Sequence, residues 1–163
     1  MKRLVLLLLV FAGFVSCDGA KSSSNTTINA MNIDTSTYNT IYSTYKESAL
    51  KHRRFKHSDI DSLIHLHKGK SVLAVEEIGK SFEGRAIYEL SYGAGEKKVM
   101  LWSQMHGDEP TATMALFDLF NFLEGSDDGQ DEIRTLLKDK LNIHFIPMLN
   151  PDGAERYQRR TAQ

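Results

Sequence analysis

The chain has 163 residues, 41% hydrophobic and 25% charged, with a formal net charge of −1 at pH 7. That length allows one domain with a sizeable core, and the composition excludes wholesale disorder. Near-neutrality offers no electrostatic case for a nucleic-acid partner, and the single cysteine, Cys17, excludes an internal disulfide.

The chain begins MKRLVLLLLVFAGFVSC, with Lys2 and Arg3 ahead of an apolar run over residues 4–15. A membrane-spanning helix needs about 20 apolar residues, so this shorter run reads as the h-region of a signal peptide. Ser16-Cys17 at its end resembles the bacterial lipobox, with Phe14 and Val15 as departures from the usual residues. The expectation is a lipoprotein signal over residues 1–16, cleaved to leave Cys17 as a lipidated N-terminus. The chain would then be exported and anchored in a bacterial cell envelope through that lipid. Residues 17–40 are rich in Ser, Thr and Asn and read as a flexible polar tether. Residues 41–163 read as the folded part, with order beginning between Tyr38 and Phe55.

In HSDIDSLIHLHKG, Ser58 can cap a helix whose Ile60, Leu63, Ile64 and His67 share a face, with Gly69 at its end. SVLAVEEIG and RAIYELSYG are β-rich runs on either side of KSFEG, where Glu83-Gly84 can turn the chain. KKVMLWSQ follows, continuously apolar from Val99 to Trp102, as in a strand covered on both faces. From Pro110 a helix is expected with Ala112, Ala115, Leu116, Leu119, Phe120 and Leu123 on one face, ending at Gly125. DEIRTLLKDK is a second helix, acids first and lysines last, as the helix dipole favours. LNIHFIPMLNPDG is a strand running into a turn. The order predicts an α/β domain with a mixed, partly parallel sheet flanked by helices.

Chemistry concentrates after the last two strands. In WSQMHGDEPTAT, His106 and Glu109 follow a strand and precede a helix, where open α/β sheets form ligand sites. Pro110 turns Glu109 away from helical geometry, and Gly107 permits a tight path. An imidazole nitrogen and a carboxylate oxygen are two of the three protein ligands typical of catalytic zinc. Asp108 is a further candidate, although adjacent acids usually point apart. The bland alternative is a solvated loop. In NPDGAERYQRR, Asn-Pro-Asp-Gly is a turn signal, and Arg156, Arg159 and Arg160 crowd just beyond it. An arginine there can stabilise an oxyanion; alternatively the three form a solvated basic face.

MHGDEPTAT followed by NPDGAERYQRRTAQ, and preceded by GKSFEGRAIYEL, resembles the zinc carboxypeptidase family, the carboxypeptidase A-like group, from about Phe55 to Gln163. The resemblance implies one zinc ion held by His106 and Glu109, and a catalytic arginine at Arg159 that binds the scissile carbonyl. Arg160 is a neighbouring candidate, because the usual Arg-x-Asn reads here with Thr161 in the last place. It implies peptide or protein C-termini as substrates. It also implies a third histidine ligand, a carboxylate-binding arginine and a base glutamate that no residue up to Gln163 supplies convincingly. His65 and His67 sit on or beside the early helix, and His144 is mid-strand. The chain is therefore expected to be the N-terminal part of the catalytic domain, inactive alone, with weak zinc affinity. Oligomeric state is left open. Two other readings stand beside this one. The first is an amidohydrolase of the aspartoacylase and succinylglutamate desuccinylase group, which also uses an HGxE pair. The second is a non-catalytic peptide-binding lipoprotein.

Overall fold

Alternation in AIYELSY sends Leu90 and Tyr92 to one side of a strand and Glu89 and Ser91 to the other, and this strand is the middle of the architecture. The computed structural model describes residues 35–161; the signal segment, Cys17 and residues 17–34 of the expected tether lie outside the described residues. In chain order the elements are α1 (Thr35–Tyr45), α2 (His57–Lys70), β1 (Ala74–Lys80), β2 (Ala86–Tyr92) and β3 (Lys97–Trp102). They continue with α3 (Thr111–Glu124), α4 (Asp131–Lys140), β4 (Leu141–Ile146) and α5 (Pro151–Arg156). The strands form one mixed sheet in the order β1-β2-β4-β3. β1 with β2 and β2 with β4 are antiparallel, whereas β3 and β4 run parallel, Val99 opposite Ile143 and Trp102 opposite Ile146.

Helix α1 occupies the last six positions of the segment expected to be a tether. It buries none of its residues, and the hydroxyls of Thr40 and Thr44 donate to the carbonyls of Ser36 and Thr40 one turn back. Its end is fixed on α3, where Asn121 Nδ2 donates to Tyr45 O at 3.2 Å and the Tyr45 and Phe122 rings meet edge to face. Helix α2 buries the expected stripe of Ile60, Leu63, Ile64 and His67. Its cap is Asp59 rather than Ser58, the carboxylate accepting the Lys56 N–H at 2.8 Å.

Two packing expectations change. Helix α3 is rotated relative to the alanine-based stripe: Thr113, Leu116, Phe117, Phe120 and Leu123 are buried, and Ala112 and Ala115 are exposed. Two phenyl rings bury far more apolar area than two methyl groups, and Phe117, Phe120 and Phe145 meet in consecutive edge-to-face contacts. Strand β3 is not covered on both faces. Met100 is 53% exposed and Trp102 52%, because β3 is an edge strand and the described helices pack on the opposite face with Leu90, Ile143 and Phe145. The Asn-Pro-Asp-Gly turn is the first turn of α5: Pro151 opens the helix, and Asn150 Oδ1 accepts the Gly153 N–H at 2.9 Å.

Candidate metal centre

The loop after β3 and the loop after β4 are stitched together by main-chain bonds that continue the parallel ladder. Ser103 N–H donates to Ile146 O (3.0 Å), Leu149 N–H to Ser103 O (3.1 Å) and Asn150 N–H to Gln104 O (3.1 Å). Gln104 is buried, with its backbone in the left-handed region at φ 48°. Its Nε2 donates to Gly107 O and its Oε1 accepts from Thr113 Oγ1, both at 2.9 Å. This explains a polar residue on the inner face of α3, since the Thr113 hydroxyl holds the amide that shapes the loop. Asn150 Nδ2 donates to Met105 O at 3.2 Å. At Gly107 a β-carbon would lie 1.9 Å from the carbonyl carbon of Gly153. Only glycine lets the His106 loop rest directly on α5.

On this support His106 Nδ1 lies 2.9 Å from Glu109 Oε2, and the Glu109 N–H donates to His106 O at 3.1 Å, closing a tight turn. Arg159 Nη1 donates to the other Glu109 oxygen, Oε1, at 2.5 Å. The hydrogen bond from His106, then that from Arg159, holds the Glu109 carboxyl below the ordinary glutamate range. Because a carboxylate only accepts, Nδ1 carries the shared proton. A cation placed between the two groups would take that proton's position. Tetrahedral zinc bonds of about 2.0–2.1 Å separate adjacent ligand atoms by roughly 3.3 Å, a small opening from the separation found here. The pair therefore fits two positions of a zinc ligand set. Among the described residues no group of three His, Cys, Asp or Glu side chains is placed to hold one metal ion. Asp108 is not drawn to the pair, and its Oδ1 is shielded from solvent without a hydrogen-bond partner.

The other candidates are engaged elsewhere. His65 Nδ1 bonds Asp61 O, His67 Nδ1 bonds buried Glu124, and His144 Nδ1 bonds Glu89 on the sheet. Arg156 pairs with Glu83 Oε1, and Arg160 has no ion pair among the described residues. The structure thus brings together His106, Glu109 and Arg159 and leaves Arg156 and Arg160 out.

Asp152 was not singled out from the sequence, yet it ties the third motif to the other two. Its buried carboxylate accepts from Ser81 Oγ (2.7 Å), the Glu83 N–H (3.1 Å) and Arg85 Nη1 (2.7 Å). Burial pushes the Asp152 carboxyl up, but these three donors together bring it below the ordinary aspartate range. The β1–β2 turn, the His106 loop and α5 are therefore one interlocked unit. The signal in the sequence is the acid inside Asn-Pro-Asp-Gly, read there for its turn chemistry alone.

Comparison with known proteins matches residues 60–163 to the zinc carboxypeptidase family. Carboxypeptidase M of Mus musculus is 33% identical over 96 residues, covering 55% of this chain and 21% of that protein. The carboxypeptidase N catalytic chain of Homo sapiens is 32% identical over 114 residues, covering 62% of this chain and 25% of that one. Among solved structures, a metallo-carboxypeptidase from Burkholderia cenocepacia aligns with TM-score 0.59 and 27% identity, covering 66% of this chain and 30% of that one. The chain thus spans about a quarter of the curated relatives' length and just under a third of the structural neighbour's. Motifs, interlocked loops and family match coincide over the same residues, and the chain belongs to the zinc carboxypeptidase family.

Proposed function

We propose that this chain carries part of the machinery of a zinc-dependent metallocarboxypeptidase, which releases the C-terminal residue from peptides and proteins. The observation that carries the reading is the convergence of His106 Nδ1, Glu109 and Arg159 on one point at the strand ends. His106 and Glu109 would hold one zinc ion, which when bound lowers the pKa of its water to about 7 and polarises a carbonyl. Arg159, whose Nη1 already lies beside Glu109, would supply N–H donors for an oxygen that gains negative charge during peptide cleavage. The interlock beneath Gly107 holds the loop that carries His106 and Glu109. With two donors among the described residues, the 163-residue chain binds zinc weakly and does not turn over peptide by itself.

The proposal extends to location. Residues 1–16 act as a lipoprotein signal, Cys17 becomes lipidated, and the exported domain is held in a bacterial cell envelope, on its periplasmic or surface side. The sequence pattern of the first seventeen residues supports this reading. Two acyl chains anchor stably where one holds marginally. Mass spectrometry of membrane-extracted protein should find a diacyl or triacyl cysteine, and a secreted form with free Cys17 would refute the anchor.

The catalytic reading is tested by calorimetric zinc titration of the chain and its His106→Ala and Glu109→Ala variants, with binding expected only in the parent. Activity is tested in a chimera, with residues 60–163 replacing the matching segment of the Burkholderia cenocepacia metallo-carboxypeptidase. Release of a C-terminal residue, abolished by His106→Ala, is the expected result. A folded, zinc-loaded chimera without turnover would overturn it.

A further inference from the structure

The sheet face turned away from the described helices carries a hollow of about 370 Å³, walled by Glu89, Lys98, Val99, Met100 and His144. Neither His106 nor Glu109 borders it. His144 sits mid-strand in β4, with β2 on one side and β3 on the other. On the β2 side its Nδ1 lies 2.7 Å from Glu89 Oε1. A carboxylate oxygen accepts, so Nδ1 carries the hydrogen and the neutral ring keeps its lone pair on Nε2. The two nitrogens of an imidazole point in widely divergent directions, so Nε2 faces away from β2, into the hollow shared with β3. There Met100 stands directly opposite His144 in the parallel ladder. Neighbouring strands lie about 4.8 Å apart, a gap that one metal ion with a ligand on each side can span. Met100 is 53% exposed, so its thioether is not committed to the core.

A metal-binding histidine ordinarily donates its other ring N–H to a carboxylate, which fixes the tautomer and aims the ring. Glu89 does this for His144. Thioethers are soft donors that select Cu(I), and imidazole takes copper as readily as zinc. We infer that Met100 Sδ and His144 Nε2 form a site for a soft monovalent cation, Cu(I) or its chemical stand-in Ag(I). Among the described residues no group of three His, Cys, Asp or Glu side chains is placed to hold a harder metal, whereas closed-shell monovalent ions accept two donors. Lys98 brings a positive charge to the hollow, which Glu89 and Glu76, opposite each other on β2 and β1, outweigh. The inference does not depend on the carboxypeptidase reading.

The experiment titrates Ag(I) into the full chain carrying Cys17→Ser, which removes its single thiol. Trp102 is the only tryptophan, 52% exposed and two residues beyond Met100 on the same strand, so quenching of its emission reports occupancy. Saturable quenching by Ag(I), and by Cu(I) without oxygen, is the expected result. Glu89→Leu should weaken binding by about 10- to 100-fold, the cost of losing a ligand's orienting partner. Met100→Leu and His144→Phe should weaken it at least as much. Urea unfolding of each variant separates loss of a ligand from loss of the fold, and nitrogen NMR of the parent should show His144 Nε2 shifting as Ag(I) is added. Unchanged affinity in folded Met100→Leu or His144→Phe, or an Nε2 signal that stays in place, would overturn the assignment. Absence of quenching up to millimolar Ag(I) would do the same. Zinc uptake through His106 and Glu109 should be unaffected by Met100→Leu, so the two metal readings fail separately.

Discussion

Gly107 and Gly153 touch backbone to backbone: a methyl group on Gly107 would lie 1.9 Å from the Gly153 carbonyl carbon and 2.3 Å from the Ala154 nitrogen. Neither neighbour is a side-chain end that can swing away. Gly107→Ala should therefore push the His106 loop off α5, costing about 1–3 kcal/mol in the manner of an overpacked core. Urea unfolding measures the loss, and zinc affinity should fall with it even though no ligand has changed. A variant as stable as the parent would show that the two loops do not need this contact.

Asp152 makes the interlock sensitive to acid. Its carboxyl lies below the unfolded aspartate value of about 3.9, burial being outweighed by Ser81, Arg85 and the Glu83 N–H. A depressed folded-state value means the contribution is complete above the unfolded value and is lost as pH falls through the folded one. Asp152→Ala should cost about 3 kcal/mol at pH 7, since it leaves Arg85 and Ser81 short of an acceptor. The difference between variant and parent should shrink below about pH 4. Chemical denaturation at several pH values between 2 and 7 checks both statements. A pH-independent difference would mean that the cost is packing rather than charge.

A second buried charge holds the helices. Arg134, 5% exposed, donates from Nε to Phe122 O (2.6 Å), from Nη1 to Asp128 and Asp131, and from Nη2 to Tyr45 Oη (2.7 Å). Its guanidinium pulls the Asp128 carboxyl down to about 2. Arg134→Leu should destabilise the fold by about 3 kcal/mol. It should also release α1, which limited proteolysis would detect as faster cleavage around Tyr45.

The three convergent residues should separate by role. His106→Ala and Glu109→Ala should each abolish measurable zinc uptake, because either leaves a single protein donor. Arg159→Ala should leave zinc uptake within about threefold of the parent while lowering kcat in an active chimera by roughly 100- to 1000-fold, as for a lost oxyanion donor. Loss of zinc with Arg159→Ala would assign the arginine to holding Glu109 instead.

Local periodicity sufficed for much of this fold. The α2 stripe, the α4 span and the succession of α2 to β4 along the chain follow from spacing alone. What periodicity misjudged depended on distant partners. Thr113 is buried because Gln104 needs its hydroxyl, which turned the inner face of α3 toward Phe117 and away from Ala112. Spacing could not separate Arg156 from Arg159; Glu83, more than seventy residues earlier, claims the first and Glu109 the second. Asp152 looked like turn chemistry because its three donors all lie beyond local reach, in the β1–β2 turn.

The place of β4 between β2 and β3 has a consequence for how the protein is made. On the ribosome, His106 and Glu109 emerge some forty residues ahead of the α5 segment that supports them. Until β4 slides between its two older neighbours, β3 has no ladder partner and the His106 loop has nothing to rest on. Closing such a non-local pairing is slow compared with forming a hairpin or helix. His106 and Glu109 thus gain their support only after β4 is made, and a nascent chain shorter than Asn150 leaves their loop without the shelf it rests on.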